Sequence, residues 1–493
     1  MTRVAGRPKK LVLAVIDSLK PEMLDRALAE GRAPALAAVI ERGTYVRDCV
    51  SSYPSVTPVA SSAIATGVGP DRHHIASMNW YHRGESRYVE YGSSFLASRA
   101  FGIRRSLFDT VYNMNMAHLS RGQKTVYEHL EDAGLRTACT TFLIYRGRTR
   151  HRLAEDGVYP AIARAAQFTH AVYGPTELFY ADLFQSRRTG CTSMLGRPGQ
   201  RDQHTGCVGA HLVEHELFDF MLFSLPDNDT YSHKFGPYAQ VQSIAGADRA
   251  LERIMHVAGG PEPFLDEHAV IVMSDHSQTS VEDRINLAQA FPDWRVLLPA
   301  DADPGVAEIA VSPGARSAMV YVIDPERRAE LGPSLARHLR KVEGLDLIVR
   351  LEGGEASVWS ERGELRFAPG ADLEDTRGRR WSLEGELEAL DLVAADGQIS
   401  SRIYPDALGR LWSSLGCSNS GDVLISAMPG YEFVDWGGTD HVGGGSHGSL
   451  HRGDSLGVLI FAGTGPGPKG ERRQWSIEDV TPMVLDHFQV ATN

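Results

Sequence analysis

The chain has 493 residues, 42% of them hydrophobic and 23% charged, with a formal net charge of −12. That length exceeds one ordinary core, so a large domain carrying a sizeable insertion, or two domains, is expected. The acidic balance excludes a protein that coats nucleic acid, which needs clustered Lys and Arg, but not one that handles a small anion through bound cations.

In chain order, the start MTRVAGRPKKLVLAVIDSLK is basic, but its apolar core is only LVLAVI and Asp17 interrupts it. It therefore reads as a first strand rather than a signal peptide. PEMLDRALAEGRAPALAAVIERG carries helical spacing and TYVRDCVSS reads as a strand. TVYEHLEDAGLRTACTTFLIY is a helix and then a strand, with the turn at Gly134. The stretch from about 145 to 205, rich in Arg, Gly and Thr, reads as loops able to cover a site. VGAHLVEHELFDFMLFSLPD gives helix then strand, and AQVQSIAGADRALERIMHVA is a helix leading into AVIVMSDH. From about 285 to 430 the character changes to strand, helix and a short hairpin meander, an α+β insertion that caps or flanks the rest. DSLGVLIFAG and SIEDVTPMVLDHF close the chain as strand and helix. Apolar runs of this length, bounded by turn signals, read as buried strands of a parallel sheet. No run is long enough to span a membrane. No coiled-coil pattern or internal repeat points to an oligomer.

The five cysteines, Cys49, Cys139, Cys191, Cys207 and Cys417, lack CxxC spacing and indicate neither a disulfide framework nor a cysteine-ligated zinc site. A Cys191–Cys207 bridge is conceivable, but the expected cytoplasmic compartment argues against it.

Hard or borderline metal ligands recur just after the apolar runs: Asp17 after LVLAVI, Asp229 and His233 in FMLFSLPDNDTYSH, and Asp275-His276 after AVIVMS. His447 stands in GGTDHVGGGSHGSL, with His441 as a competing ligand in the same loop. Open α/β sheets bind ligands outside the carboxyl ends of their strands. Asp229 and His233, four apart, fall on one face of a helical turn and within reach of one ion. Singly, each has a plainer reading as a solvated pair, a turn or a helix cap. DNDTY resembles the start of a calcium loop, but the required glycine and glutamate are absent. Neither GVGPDRHH nor GGGSHGSL ends as a P-loop does. Thr57, followed by Pro58, belongs at a helix N-terminus, where it is either a simple cap or a nucleophile. A cation on its oxygen would be needed for the second role.

Taken together, Asp17 after a strand, SVTPVASSAIATGVGPDRHHI, PDNDTYSHKFGP, VMSDH and SHG resemble the nucleotide pyrophosphatase/phosphodiesterase (type I phosphodiesterase) branch of the alkaline phosphatase superfamily. The resemblance implies an α/β fold: an alkaline-phosphatase-like sandwich with a central, mostly parallel sheet flanked by helices. The catalytic domain would be discontinuous, 9–284 and 431–490, with 285–430 as an inserted smaller α+β subdomain. It implies two zinc ions, other divalent metals being possible, lying about 4 Å apart as paired metals do. Asp17, Asp275 and His276 would hold the one that binds and activates Thr57. Asp229, His233 and His447 would hold the one that activates water. Thr57 would attack phosphorus in a small phosphate ester or nucleotide and form a phospho-threonine intermediate.

Two departures stand out. The family's Asn that holds a non-bridging phosphate oxygen falls on Met78, and Asn79, one position later, is the candidate for that role. Of the Lys and Arg that mark phosphomonoesterases, Arg146 is kept in TFLIYRGRTR while Ile144 replaces the Lys. Val56 and Ala60 flank Pro58 where sulfatases need a Cys or Ser and an Arg. The expected function is a two-zinc phosphodiesterase or nucleotide pyrophosphatase. The alternatives are a phosphomonoesterase or phosphonate hydrolase with the same residues, or a non-catalytic metal-binding protein.

Overall fold

A computed structural model describes residues 8–491 apart from 156, 166, 195, 302 and 467–471. The basic start over residues 1–7 lies outside the described residues. An eight-stranded sheet forms the centre, in the order Gly43–Val50, Leu456–Ala462, His268–Met273, Lys10–Ile16, Phe220–Leu225, Thr137–Thr140, Glu177–Tyr180 and Phe184–Gln185. The run from His268–Met273 to Glu177–Tyr180 is parallel throughout, and Leu456–Ala462 runs antiparallel to its neighbours.

Both faces of this sheet are covered, which is why its strands read as unbroken apolar runs. Alternate side chains of Lys10–Ile16 enter separate cores: Leu11, Leu13 and Val15 on one side, Val12, Ala14 and Ile16 on the other. The helical stretch expected over 21–43 is two helices, Pro21–Ala29 and Pro34–Glu41. Gly31 takes φ +65 and Pro34 begins the second helix, so the first cannot continue.

A second sheet of nine strands, almost wholly antiparallel, runs from Ile309–Gly314 to Val423–Ala427. One face, with Val320, Ile348 and Ile425, packs against Leu331, Leu335 and Leu339 of the Arg328–Leu339 helix. The other, with Met319, Tyr321, Leu347 and Leu424, joins the same core as Leu11 and Val59 of the central sheet's side. The second sheet is therefore packed onto the central sheet rather than tethered to it.

Three short strands join the two sheets. Thr279–Ile285 pairs with Gly430–Phe433 in parallel and with Gly445–Ser446 antiparallel. The chain leaves the central sheet after Asp275-His276, builds the second sheet, and returns beside its point of departure.

The stretch from 145 to 205 is less irregular than its composition suggests. It supplies the strand Glu177–Tyr180 and the edge strand Phe184–Gln185, and it begins the Arg201–Glu214 helix. Cys191 and Cys207 are joined by a disulfide, contrary to the sequence expectation, while Cys49, Cys139 and Cys417 are free and buried. The bridge ties the loop before the Arg201–Glu214 helix to the helix itself. No helix among the described residues is long and apolar enough to cross a membrane.

Candidate active site

The three central parallel strands end together: Ile16 lies opposite Leu225, and Val15 opposite Met273. The residues that follow them are therefore delivered to one edge of the sheet. Asp17 follows the first strand. The helix Asp227–Phe235 follows the second and turns Asp229 and His233 inward. Asp275 and His276 follow the third. His447 comes after Gly445–Ser446, and its ring stacks on that of His276 at 3.9 Å between centroids.

The ligand atoms form two groups that meet at Asp229. Asp229, His233 and His447 offer atoms within 4.8 Å of one another, as do Asp17, Asp229 and His276. Asp229 Oδ1 lies 3.4 Å from His233 Nε2 and 3.6 Å from His447 Nε2. His276 Nε2 lies 3.7 Å from Asp17 Oδ1 and 3.4 Å from Asp275 Oδ2. Asp275 stands at the margin because its Oδ1 accepts backbone N–H bonds from Ser18 at 3.1 Å and His276 at 2.9 Å. His441 turns aside: its Nδ1 lies 3.1 Å from Glu432 Oε2, leaving His447 with Asp229 and His233.

All three imidazoles are oriented by the backbone. His233 Nδ1 is 2.8 Å from the Gly445 carbonyl, His447 Nδ1 is 2.9 Å from that of Ser55, and His276 Nδ1 is 3.2 Å from that of Ser277. A carbonyl oxygen can only accept, so each Nδ1 carries the proton and each Nε2 presents a lone pair to the cluster. This is the arrangement of metal-binding histidines, in which an outer partner fixes the tautomer.

The electrostatics agree. Burial pushes the His233, His276 and His447 pKa values down to about 4, so all three are neutral near pH 7. Burial and the charges of Asp275 and Asp229 push Asp17 well above the usual carboxylate range. Burial and Asp229 raise Asp275 to about 6 against backbone hydrogen bonds from Ser18 and His276. Asp229 goes the other way: burial would raise it, but the three histidines outweigh that and lower it. Crowded carboxylates beside neutral imidazoles fit divalent cations, and a mixed Asp/His set suits zinc among others.

Thr57 is the first residue of the Thr57–Thr66 helix, whose N-cap is Val56. Its hydroxyl therefore does not cap the helix; Oγ1 lies 3.2 Å from His276 Nε2 at the helix N-terminus. The Thr57 N–H and the helix dipole there favour a phosphate oxygen; Pro58 has no N–H, and those of Val59 and Ala60 donate to the Val56 carbonyl at 3.0 Å. A cavity of about 500 Å³ opens over Asp17, Thr57, Asp229, His233, Asp275 and His447.

Two expected site residues point elsewhere. Asn79 Nδ2 donates to the Pro313 carbonyl, and Met78 rather than Asn79 lines the cavity. Arg146 is buried, with Nε 3.1 Å from Glu128 and Nη1 donating to the carbonyls of Leu119 and Ser120 at 3.0 and 3.1 Å. Its Nη2 donates to the Gln123 carbonyl, so the whole guanidinium is used to staple the loop before the Val126–Asp132 helix.

Three residues not anticipated from sequence shape the site. Ser18, in the left-handed region at φ +59, donates from Oγ to Asp229 Oδ1 at 2.7 Å and lies 3.1 Å from His276 Nδ1. Gln278 donates from Nε2 to the same Asp229 oxygen at 2.6 Å. Arg201 lines the cavity but is held by Asp227 Oδ1 at 2.8 Å. Adjacency to Asp17 and His276 was the one signal that could have flagged Ser18 and Gln278.

The chain matches no curated protein. Among solved structures, it resembles phosphonoacetate hydrolase from Sinorhizobium meliloti 1021 in complex with phosphonoformate. That likeness has a TM-score of 0.56 and 16% identity, covering 97% of this chain and 96% of that one. It also resembles murine ectonucleotide pyrophosphatase/phosphodiesterase 5, with a TM-score of 0.58 and 10% identity, covering 98% and 96%. These likenesses carry the fold, which is alkaline-phosphatase-like. The family described as type I phosphodiesterase / nucleotide pyrophosphatase matches residues 11–450, a span that takes in every residue of the cluster from Asp17 to His447. The chain belongs to that family of phosphoric-ester hydrolases.

Proposed function

We propose that this protein is a two-zinc phosphodiesterase acting on a small phosphate ester through a covalent intermediate on Thr57. The observation that carries the reading is the placement of Thr57 Oγ1, uncommitted to capping and 3.2 Å from His276 Nε2, at a helix N-terminus facing both ligand groups. Asp17, Asp275 and His276 would hold one ion and Asp229, His233 and His447 the other, supplying Lewis acidity to the Thr57 hydroxyl and to water. Thr57 Oγ forms a bond to phosphorus as the bond to the leaving alcohol breaks. Water then cleaves the threonine ester and restores the hydroxyl. The Thr57 backbone N–H, the one left open in the first turn of the Thr57–Thr66 helix, would hold a phosphoryl oxygen during both steps.

Charge supports a diester over a monoester. Among the described residues lining the cavity, Arg201 is the one Lys or Arg, and Asp227 already neutralises it; His441, whose pKa burial lowers but Glu432 raises, is paired with that carboxylate. Arg146 is consumed elsewhere. Beyond the two metal ions, a monoester dianion would find no unpaired side-chain cation for its second charge, whereas a diester brings only one. We also read 285–430 as an insertion into a catalytic domain of 9–284 and 431–490. The Cys191–Cys207 disulfide supports an oxidising compartment in place of the cytoplasm.

The test is metal content of the purified protein, with hydrolysis of bis-p-nitrophenyl phosphate and p-nitrophenyl phosphate side by side. Two zinc ions per chain and faster diester turnover are expected. Faster monoester turnover would make it a phosphatase, and no turnover after zinc addition would refute the enzymatic reading.

A further inference from the structure

Met78 lines the reaction cavity at the position of the missing Asn, and Asn79 gives its Nδ2 to the Pro313 carbonyl. A phosphoryl oxygen that gains charge as Thr57 attacks therefore has no side-chain donor in the expected place. The helix that carries Thr57 offers another.

That helix bears three hydroxyls beyond Thr57, and they divide. Ser62 and Thr66 donate to the carbonyls four residues back, Pro58 at 2.7 Å and Ser62 at 2.6 Å. This is a common arrangement for a serine or threonine inside a helix. Ser61 departs from it. The residue is 1% exposed and lines the reaction cavity, yet its hydroxyl forms no hydrogen bond among the described residues. Ser61 follows Thr57 by four positions, so the two share one face of the helix. A helical Cβ leans toward the N-terminus, which carries the Ser61 side chain toward the Thr57 turn. On the opposite face, Val59 and Ala63 are fixed in the core, so the helix cannot easily turn Ser61 away.

Other hydroxyls of the cavity are committed. Ser93 donates to Glu90 Oε1 at 2.6 Å and Thr439 to Ser94 Oγ at 3.3 Å, while Thr230 and Thr141 accept from Arg201 and Thr205. Among the described serines and threonines of the cavity wall, Ser224 is the other without a partner, but it belongs to the Phe220–Leu225 strand and not to the element that carries the nucleophile. Helix stability does not account for Ser61 either. Alanine is the better helix former and already fills positions 60, 63 and 65, and a buried hydroxyl with no partner is unfavourable to folding.

We propose that Ser61 is a further catalytic residue, whose hydroxyl donates a hydrogen bond to a non-bridging phosphoryl oxygen of the substrate in the role that Met78 cannot fill. The proposal rests on the phosphodiesterase reading and completes its set of oxygen-holding groups. No proton is transferred. The bond is made while Thr57 Oγ bonds to phosphorus and the leaving alcohol departs, and again while water cleaves the threonine ester. Charge on the non-bridging oxygens is greatest in those two transition states, so the contact favours them over the bound ester.

The test uses the full, metal-loaded chain with Ser61→Ala, Ser61→Thr and Ser224→Ala, each assayed for zinc content, thermal midpoint, bis-p-nitrophenyl phosphate turnover and inhibition by orthovanadate, which adopts five-coordinate geometry. Ser61→Ala is expected to keep its zinc and a thermal midpoint at or above that of the wild type. Its kcat should fall on the order of a hundredfold with KM within a few-fold, and orthovanadate should bind at least tenfold more weakly. Ser61→Thr, which keeps a hydroxyl, should regain most of the rate. Wild-type kcat in Ser61→Ala overturns the proposal, as does a loss seen in Ser224→Ala alone. A fall in kcat that comes with lost zinc or a lowered midpoint also overturns it, assigning Ser61 a structural role. Failure of the wild type to turn over the diester would instead refute the phosphodiesterase reading, a result distinct from all of these.

Discussion

Ser18 offers the sharpest perturbation of the metal cluster because it can be altered in two ways. Its hydroxyl donates to Asp229 Oδ1 at 2.7 Å, and Asp229 is the residue shared by both ligand groups. Its backbone N–H donates to Asp275 Oδ1 at 3.1 Å, and its φ of +59 is the left-handed conformation that favours glycine. Ser18→Ala keeps the backbone strain and removes the hydroxyl; Ser18→Gly removes both. A hydrogen bond to a charged group contributes about 1.5–3 kcal/mol. Gln278 still donates to the same oxygen at 2.6 Å, so the lower end applies, about tenfold in metal affinity. Competitive titration of bound zinc with a chelator measures this directly. Both variants should lose affinity by a similar factor, while Ser18→Gly folds at least as stably as the wild type. Wild-type affinity in both would refute the tethering role. A loss in Ser18→Ala alone would assign the effect to the backbone instead.

Three further outcomes are expected. Glu90 is buried with Oε2 unpartnered, and burial raises its pKa to about 7 from 4.5, against hydrogen bonds from Ser93 and Gly92. A raised carboxyl penalises the folded state once ionised, so stability falls as pH rises from 4.5 through 7, by at most about 3 kcal/mol. Glu90→Gln should therefore raise the thermal midpoint at pH 8 and leave it unchanged at pH 4.5; an equal gain at both would contradict this. Arg146→Leu should lower thermal stability while leaving the diester-to-monoester rate ratio alone, whereas a changed ratio would return Arg146 to the substrate site. The disulfide closes a loop of separation 16, a constraint of about 3 kcal/mol on the unfolded chain. Reduction should make the segment before Arg201 the first point of proteolytic cleavage, and unaltered cleavage would show that the bridge does not hold it.

The strands that end at the site were legible because a parallel sheet covered on both faces leaves no polar position in LVLAVI, FMLFSL or AVIVM. Asp17, Asp229 and Asp275 then followed from where such strands stop. The i, i+4 pair Asp229 and His233 was legible for a similarly local reason. Other features depend on contacts between distant segments. His447 meets the Ser55 carbonyl across 392 residues, through a three-stranded junction with no sequence signature. Ser18 acts through a backbone conformation that serine seldom adopts. Arg146 looked like a substrate cation because its motif position was right, but nearby carbonyls and Glu128 claim its donors. The Glu177–Tyr180 strand was hidden in a stretch whose composition reads as loop, since a strand of four residues is too short to show a pattern. Thr57 was placed one residue too early because Thr-Pro favours the cap position, whereas Val56 takes it.

The central claim, that Thr57 is the nucleophile above two metal groups, is tested most directly by Thr57→Ala assayed for zinc content and for bis-p-nitrophenyl phosphate turnover on the same preparation. The hydroxyl touches one ligand, His276 Nε2 at 3.2 Å, and the three histidine rings are set by the carbonyls of Gly445, Ser277 and Ser55, so the variant should keep two zinc ions per chain. Removing the nucleophile should lower turnover by a factor on the order of a thousand or more. Turnover within a few-fold of wild type in the zinc-loaded variant would show that water attacks phosphorus directly and that the Thr57 intermediate does not exist.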